Sequence, residues 1–109
     1  MRARQLIFTK TLQDAAASGS GTGQFVGNAE TIQITAKWSA GSSLGVLSIE
    51  EADDDDYTGT WSVITTVTQS AASSEDVVHI TGAVRAVRAR LSTGVTGGTV
   101  TVVVRGYSG

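Results

Sequence analysis

Thr31-Ile32-Gln33-Ile34-Thr35-Ala36-Lys37-Trp38 decides the fold class. Ile32, Ile34, Ala36 and Trp38 fall on one side of an extended chain, and Thr31, Gln33, Thr35 and Lys37 on the other. Side chains of a strand alternate between faces, so the stretch reads as a half-buried strand with one solvent face. The same rhythm extends to the C-terminus, with short Val/Ile/Thr-rich runs separated by Gly/Ser/Thr/Asp segments. That spacing predicts a small all-β domain.

Further strands are expected on both sides of this one. Residues 4–12 read as a first strand whose Leu6/Phe8/Leu12 side faces the core. Residues 24–27 read as a short strand or turn. Residues 44–51 follow with Leu47 and Ile49 on one face, and residues 60–68 carry Trp61, Val63, Ile64 and Val67. Residues 76–81 and 83–92 read as a strand pair separated at Gly82. In the second, Val87, Ala89 and Leu91 share a face with Arg85, opposite Arg88 and Arg90. Residues 93–98, with Gly97-Gly98, read as a hairpin-type loop. Residues 99–105 form the last strand, with Val100, Val102 and Val104 opposite Val103. Seven or eight strands and no helix predict an antiparallel β-sandwich, jelly-roll-like, with a closed barrel as the other solution.

The chain has 109 residues, enough for one domain with a real core. Residues 15–23, Ala-Ala-Ala-Ser-Gly-Ser-Gly-Thr-Gly, have a linker composition. The expected division is therefore an N-terminal strand or arm with its linker over 1–23, and the sandwich over 24–109. The arm either packs on its own domain or reaches a neighbour. There are no cysteines, so disulfides and cysteine–metal sites are excluded. Net charge is −2, which gives no general attraction to DNA phosphates. No apolar run approaches the ~20 residues that span a bilayer. The basic start, Met1 to Lys10, has an apolar part of three residues, shorter than a signal-peptide core of roughly 7–15. The expectation is a protein made in a cytoplasm that leaves it only by lysis or in a larger particle. Proline is also absent, which removes one common protection of edge strands and leaves room for a neighbour to cover them.

Several constellations carry chemistry. Glu50, Glu51, Asp53, Asp54, Asp55 and Asp56 form an acidic run. Asp53–Asp56 are weak candidates for Ca²⁺, which takes oxygen ligands, but their spacing is not that of an EF-hand. The alternative is a solvated loop tip. Arg85, Arg88, Arg90 and Arg105 are interface candidates, because guanidinium groups make forked bonds to carboxylates. They would meet Asp53–Asp56 of a neighbouring subunit, or pair within their own chain. Trp38, Trp61, Tyr57 and Tyr107 are the aromatics a sugar-stacking platform would use, since aromatic faces combine a flat apolar body with polar edges. Tyr57 and Trp61 flank the acidic run and are the better sugar-binding candidates. Trp38 falls on the apolar phase of its strand and reads as core. His79 is the single histidine. It cannot build a His-rich zinc site, and no Gly-x-Ser-x-Gly elbow accompanies it. No catalytic residue or cofactor is assigned.

The C-terminal half resembles a known group. Gly59-Thr60-Trp61-Ser62-Val63-Ile64, then Gly82-Ala83-Val84-Arg85-Ala86-Val87-Arg88-Ala89-Arg90-Leu91, then Gly97-Gly98-Thr99-Val100-Thr101-Val102, follow the order G-x-W-x-x-[IV], G-x-[VY]-R-x-[VL]-R-[AV]-x-[IL], GG-[TS]-V-[TK]-V. This resembles small virion structural proteins of tailed bacteriophages. The resemblance implies a β-sandwich that assembles on the head or tail, as a capsid decoration (cement) protein or a tail component, and not an enzyme. The leading expectation is a virion protein that bridges capsomers as a small homo-oligomer, with a trimer favoured. Its partners would be the major capsid protein and itself, without nucleic acid or membrane. The alternatives are a tail or adhesin component, a carbohydrate-binding sandwich using Tyr57 and Trp61, and a hydrolase using His79.

Overall fold

The computed structural model describes residues 5–52 and 60–108. Eight strands make up its regular structure: β1 (Gln5–Ala16), β2 (Gln24–Phe25), β3 (Thr31–Trp38), β4 (Val46–Ala52), β5 (Ser62–Thr68), β6 (Glu75–Thr81), β7 (Ala86–Thr93) and β8 (Val100–Ser108). They form two four-stranded sheets, ordered β1-β8-β3-β6 and β2-β7-β4-β5, and every pairing is antiparallel. First pairs with last, second with seventh, third with sixth and fourth with fifth. The chain is thus one long hairpin rolled over itself, the jelly-roll form of the β-sandwich.

The alternation of β3 survives intact. Ile32, Ile34, Ala36 and Trp38 are all buried. Opposite them in the core lie Leu47 and Ile49 of β4 and Val87, Ala89 and Leu91 of β7, joined by Val100, Val102 and Val104 of β8. Fully burying a side chain such as Leu47 or Ile49 contributes about 1.5–3 kcal/mol, so the two inner faces hold the sheets together.

Three expectations from sequence change. The strands 76–81 and 83–92 are not a pair. β6 joins β3 in the first sheet, whereas β7 joins β2 and β4 in the second. Gly82, at φ +112°, stands where the chain crosses between sheets. Residues 93–98 likewise pass between the sheets and do not close a hairpin. There Thr96 bridges Ser43, and Gly97, at φ +74°, lies so close to Gly41 that a Cβ would sit 2.7 Å from its carbonyl oxygen. Turn chemistry marks a reversal of direction but does not choose which sheet receives the next strand. Third, Leu6 and Phe8 do not share the core. A register shift between them sets Leu6 opposite Tyr107 and Phe8 opposite Gly106. Leu6 is left exposed, while Phe8 packs on the core. A bulge inserts one residue and so reverses the facing of all that precedes it.

β1 lies on its own sheet beside β8. The Ala/Gly/Ser stretch after it is anchored through backbone groups. Leu91 N–H donates to Gly19 O at 2.9 Å, Val95 N–H to Ala17 O at 2.8 Å and Thr22 N–H to Leu12 O at 3.0 Å. Gln13 is buried and its Nε2 donates to Ala89 O at 2.7 Å and Gly19 O at 3.1 Å, tying the two sheets together.

Candidate functional site

Two outer faces carry the polar chemistry. On the second sheet, Ser48 and Glu50 lie on the opposite phase to Leu47 and Ile49 and so point away from the core. They are nevertheless only 3 % exposed. The register sets Glu50 opposite Arg88 and Ser48 opposite Arg90. Arg88 Nε donates to Glu50 Oε1 at 2.6 Å, Arg90 Nε to Oε2 at 2.9 Å, and the Ser48 hydroxyl to Oε2 at 2.9 Å. Burial alone raises the Glu50 pKa. The hydrogen bonds from Arg88, Arg90 and Ser48, with the charge of Arg88, outweigh it and hold the carboxyl below its ordinary value. The Arg88 guanidinium also lies 4.6 Å from the centroid of the Trp61 ring, a cation–π contact.

Two interface candidates, Arg88 and Arg90, therefore converge on one carboxylate of their own chain. Arg85 stands apart, exposed and 6.0 Å from the Phe25 ring centroid. Trp61, the sugar candidate, has one ring face under Arg88. Asp53, Asp54, Asp55, Asp56 and Tyr57, the calcium and sugar candidates, lie outside the described residues. Among the described residues no group of three His, Asp or Glu is placed to hold a metal.

The first sheet presents the other face. Thr31, Gln33, Thr35 and Lys37 of β3 run down its middle. They are flanked by Thr81, His79, Val77 and Glu75 of β6 and by Tyr107, Arg105, Val103 and Thr101 of β8. Thr31, Gln33, His79, Thr81 and Tyr107 line a groove of about 370 Å³. The Tyr107 hydroxyl donates to Gln33 Oε1 at 3.2 Å, which fixes the Gln33 side chain across the groove floor. Arg105 is the cross-strand neighbour of Gln33 on the β8 side, and His79 on the β6 side. Among the described residues no carboxylate bonds to His79, whose cross-strand neighbour is Gln33.

Alternation alone assigns Thr31 and Gln33 to a solvent face. It does not reveal that Tyr107 and His79 flank them, because that needs the pairing of strands far apart in sequence. In the sequence Glu50 is one member of an acidic run. The clue to its pairing is that Glu50 and the two arginines all fall on the polar phase of apolar strands.

No family model matches the chain, and no curated protein matches it. Among solved structures, it is similar to the SPBc2 prophage-derived protein YomS, with a TM-score of 0.69 and 17 % sequence identity over 99 % of this chain and 97 % of that one. The two proteins share the jelly-roll sandwich over essentially their whole lengths.

Proposed function

We propose that this chain is a structural protein of a tailed-phage particle, a head-decoration protein that bridges neighbouring capsomers. The observation that carries the reading is the whole-length likeness of its fold to a prophage-derived protein. The phage-like order of motifs in residues 59–102 points the same way. The mechanism is adhesive. A compact sandwich that contacts several shell subunits at once adds binding energy at their seams, and simultaneous contacts multiply avidity.

Leu44 supports a role in contact. It is 71 % exposed and holds φ +67°. A leucine in the left-handed region costs about 1–2 kcal/mol, and strained backbone positions cluster at ligand clamps and switch regions. A homotrimer is the favoured assembly.

The test is co-purification. Intact particles are sedimented and the chain is quantified against the major shell protein. Near-equal numbers support head decoration. A few copies per particle move the assignment to the tail or a vertex. Complete absence from washed particles overturns a virion role. Light scattering of the isolated protein tests the trimer.

A further inference from the structure

The outer face of the first sheet holds an excess of hydrogen-bond donors. Arg105 offers five N–H groups in a planar fork, and the Gln33 amide offers two. Gln33 Oε1 is occupied by the Tyr107 hydroxyl, so the nitrogen end of that amide remains for a ligand. His79 adds a ring nitrogen from the other side. Among the described residues the acids on the strands of this sheet are Asp14, Glu75 and Asp76. Asp14 is exposed on β1 beside the Val100–Val102 end of β8, Glu75 is tied to Lys37 at 3.7 Å, and Asp76 accepts from Trp38 Nε1 at 2.7 Å. Neither Glu30, next to Thr31 in sequence, nor Arg105 lines the groove itself; Arg105 stands beside it as the cross-strand neighbour of Gln33. Arg105 is half-buried at the middle of the sheet, between Thr9 of β1 and Gln33 of β3. Among the described residues neither Arg105 nor His79 has a hydrogen-bond or ion-pair partner.

The groove beside these donors has a different character. Its floor is Thr31, 8 % exposed, and its walls are the Tyr107 ring on one side and His79 and Thr81 on the other. Its volume of about 370 Å³ is at the small end of ligand pockets, which run about 300–1,000 Å³. A flat ring fits against Tyr107, and threonine hydroxyls both donate and accept, as sugar hydroxyls do. A carboxylate on that ring would meet the donors at the Gln33 end, where a guanidinium binds it in a forked, charge-assisted pair.

We propose that this groove binds an acidic sugar, a pyranose carrying a carboxylate. The ring rests on Thr31 between Tyr107 and Thr81, and the carboxylate faces Gln33, Arg105 and His79. An aspartate or glutamate side chain of a partner protein would satisfy the donors but leave the Tyr107 wall unfilled. The inference stands on this face alone and does not depend on where the protein sits in a particle.

The experiment is a titration of the full chain with glucuronate, followed by NMR, with glucose and an oligo-aspartate peptide in parallel. The expected result is saturable shifts at the His79 ring, the Gln33 side-chain amide and Tyr107 with glucuronate, and none with glucose. Arg105→Gln should weaken glucuronate binding about tenfold or more, the usual loss for a charged hydrogen-bonding partner. Its thermal unfolding should match the wild type, since the guanidinium has no partner among the described residues. Thr101→Ala, on the same strand outside the groove, should bind as the wild type does. No shift with glucuronate overturns the proposal, and so does an Arg105→Gln protein that binds it unchanged. Shifts with the peptide but not with glucuronate overturn it in favour of a protein partner.

Discussion

Glu50 and Arg88 stand directly opposite each other on β4 and β7, and their side chains close a 2.6 Å ion pair on the outer face of the second sheet. Arg90 completes a clamp on the second carboxylate oxygen at 2.9 Å. The carboxylate side chain is 4 % exposed, while the two guanidinium side chains are 22 % and 39 % exposed. Glu50 is therefore the member whose loss matters most.

Replacing Glu50 with Gln keeps the volume and removes the charge. The amide nitrogen then faces donors, and the clamp opens. The expected cost is about 2 kcal/mol, less than for a fully buried pair because the arginines reach water. For a domain of this size that lowers the melting temperature by roughly 10 °C. Trp61 fluorescence should change too, since Arg88 loses the carboxylate that holds it over the ring. Calorimetry and emission spectra check both.

Acid should destabilise the protein through the same group. The folded pKa of Glu50 is held below its ordinary value. Its contribution is complete above the unfolded value of about 4.3 and is lost as pH falls through the lower folded value. Urea midpoints measured down through this window should fall for the wild type and fall less for Glu50→Gln. Parallel acid slopes in the two proteins would refute the assignment.

Asp76 ties the start of β6 to the core. Its Oδ2 accepts from Trp38 Nε1 at 2.7 Å and from the Ser70 backbone N–H at 3.1 Å. Asp76→Ala leaves the indole N–H without its acceptor while Trp38 is 3 % exposed. A loss of about 1–3 kcal/mol is expected, with a shift in near-ultraviolet circular dichroism. Asp76→Asn, which retains an acceptor oxygen, should lose less.

Gly106 is covered by the ring of its cross-strand partner Phe8, and a Cβ there would overlap that ring. Gly106→Ala should destabilise by about 1–3 kcal/mol through overpacking. Combined with Phe8→Ala, the second change should cost less than it does alone, giving a coupling of at least about 0.5 kcal/mol. Additive losses in the cycle would show that the ring moves aside freely.

Leu44→Gly relieves the left-handed backbone at that exposed position. Stability should rise by about 0.5–1 kcal/mol, because glycine adopts positive φ without a steric penalty. If Leu44 is a contact residue, the same variant should bind particles less well. A more stable protein with unchanged particle binding would remove Leu44 from the interface.

The alternation in residues 31–38, repeated with Val and Ile through residue 104, determined an all-β sandwich and named most of its core. That signal is local. Facing inward or outward depends on a residue's own strand, and the period of two is written in consecutive residues. What only the tertiary structure decided was partnership. Glu50 finds Arg88 across 38 residues, and Tyr107 reaches Gln33 across 74. Nor could the residue pattern reveal the bulge between Leu6 and Phe8, or that β6 and β7 part to different sheets. Such contacts form only when distant strands close into register, and the free energy that selects one register belongs to the assembled sheets and not to any single strand.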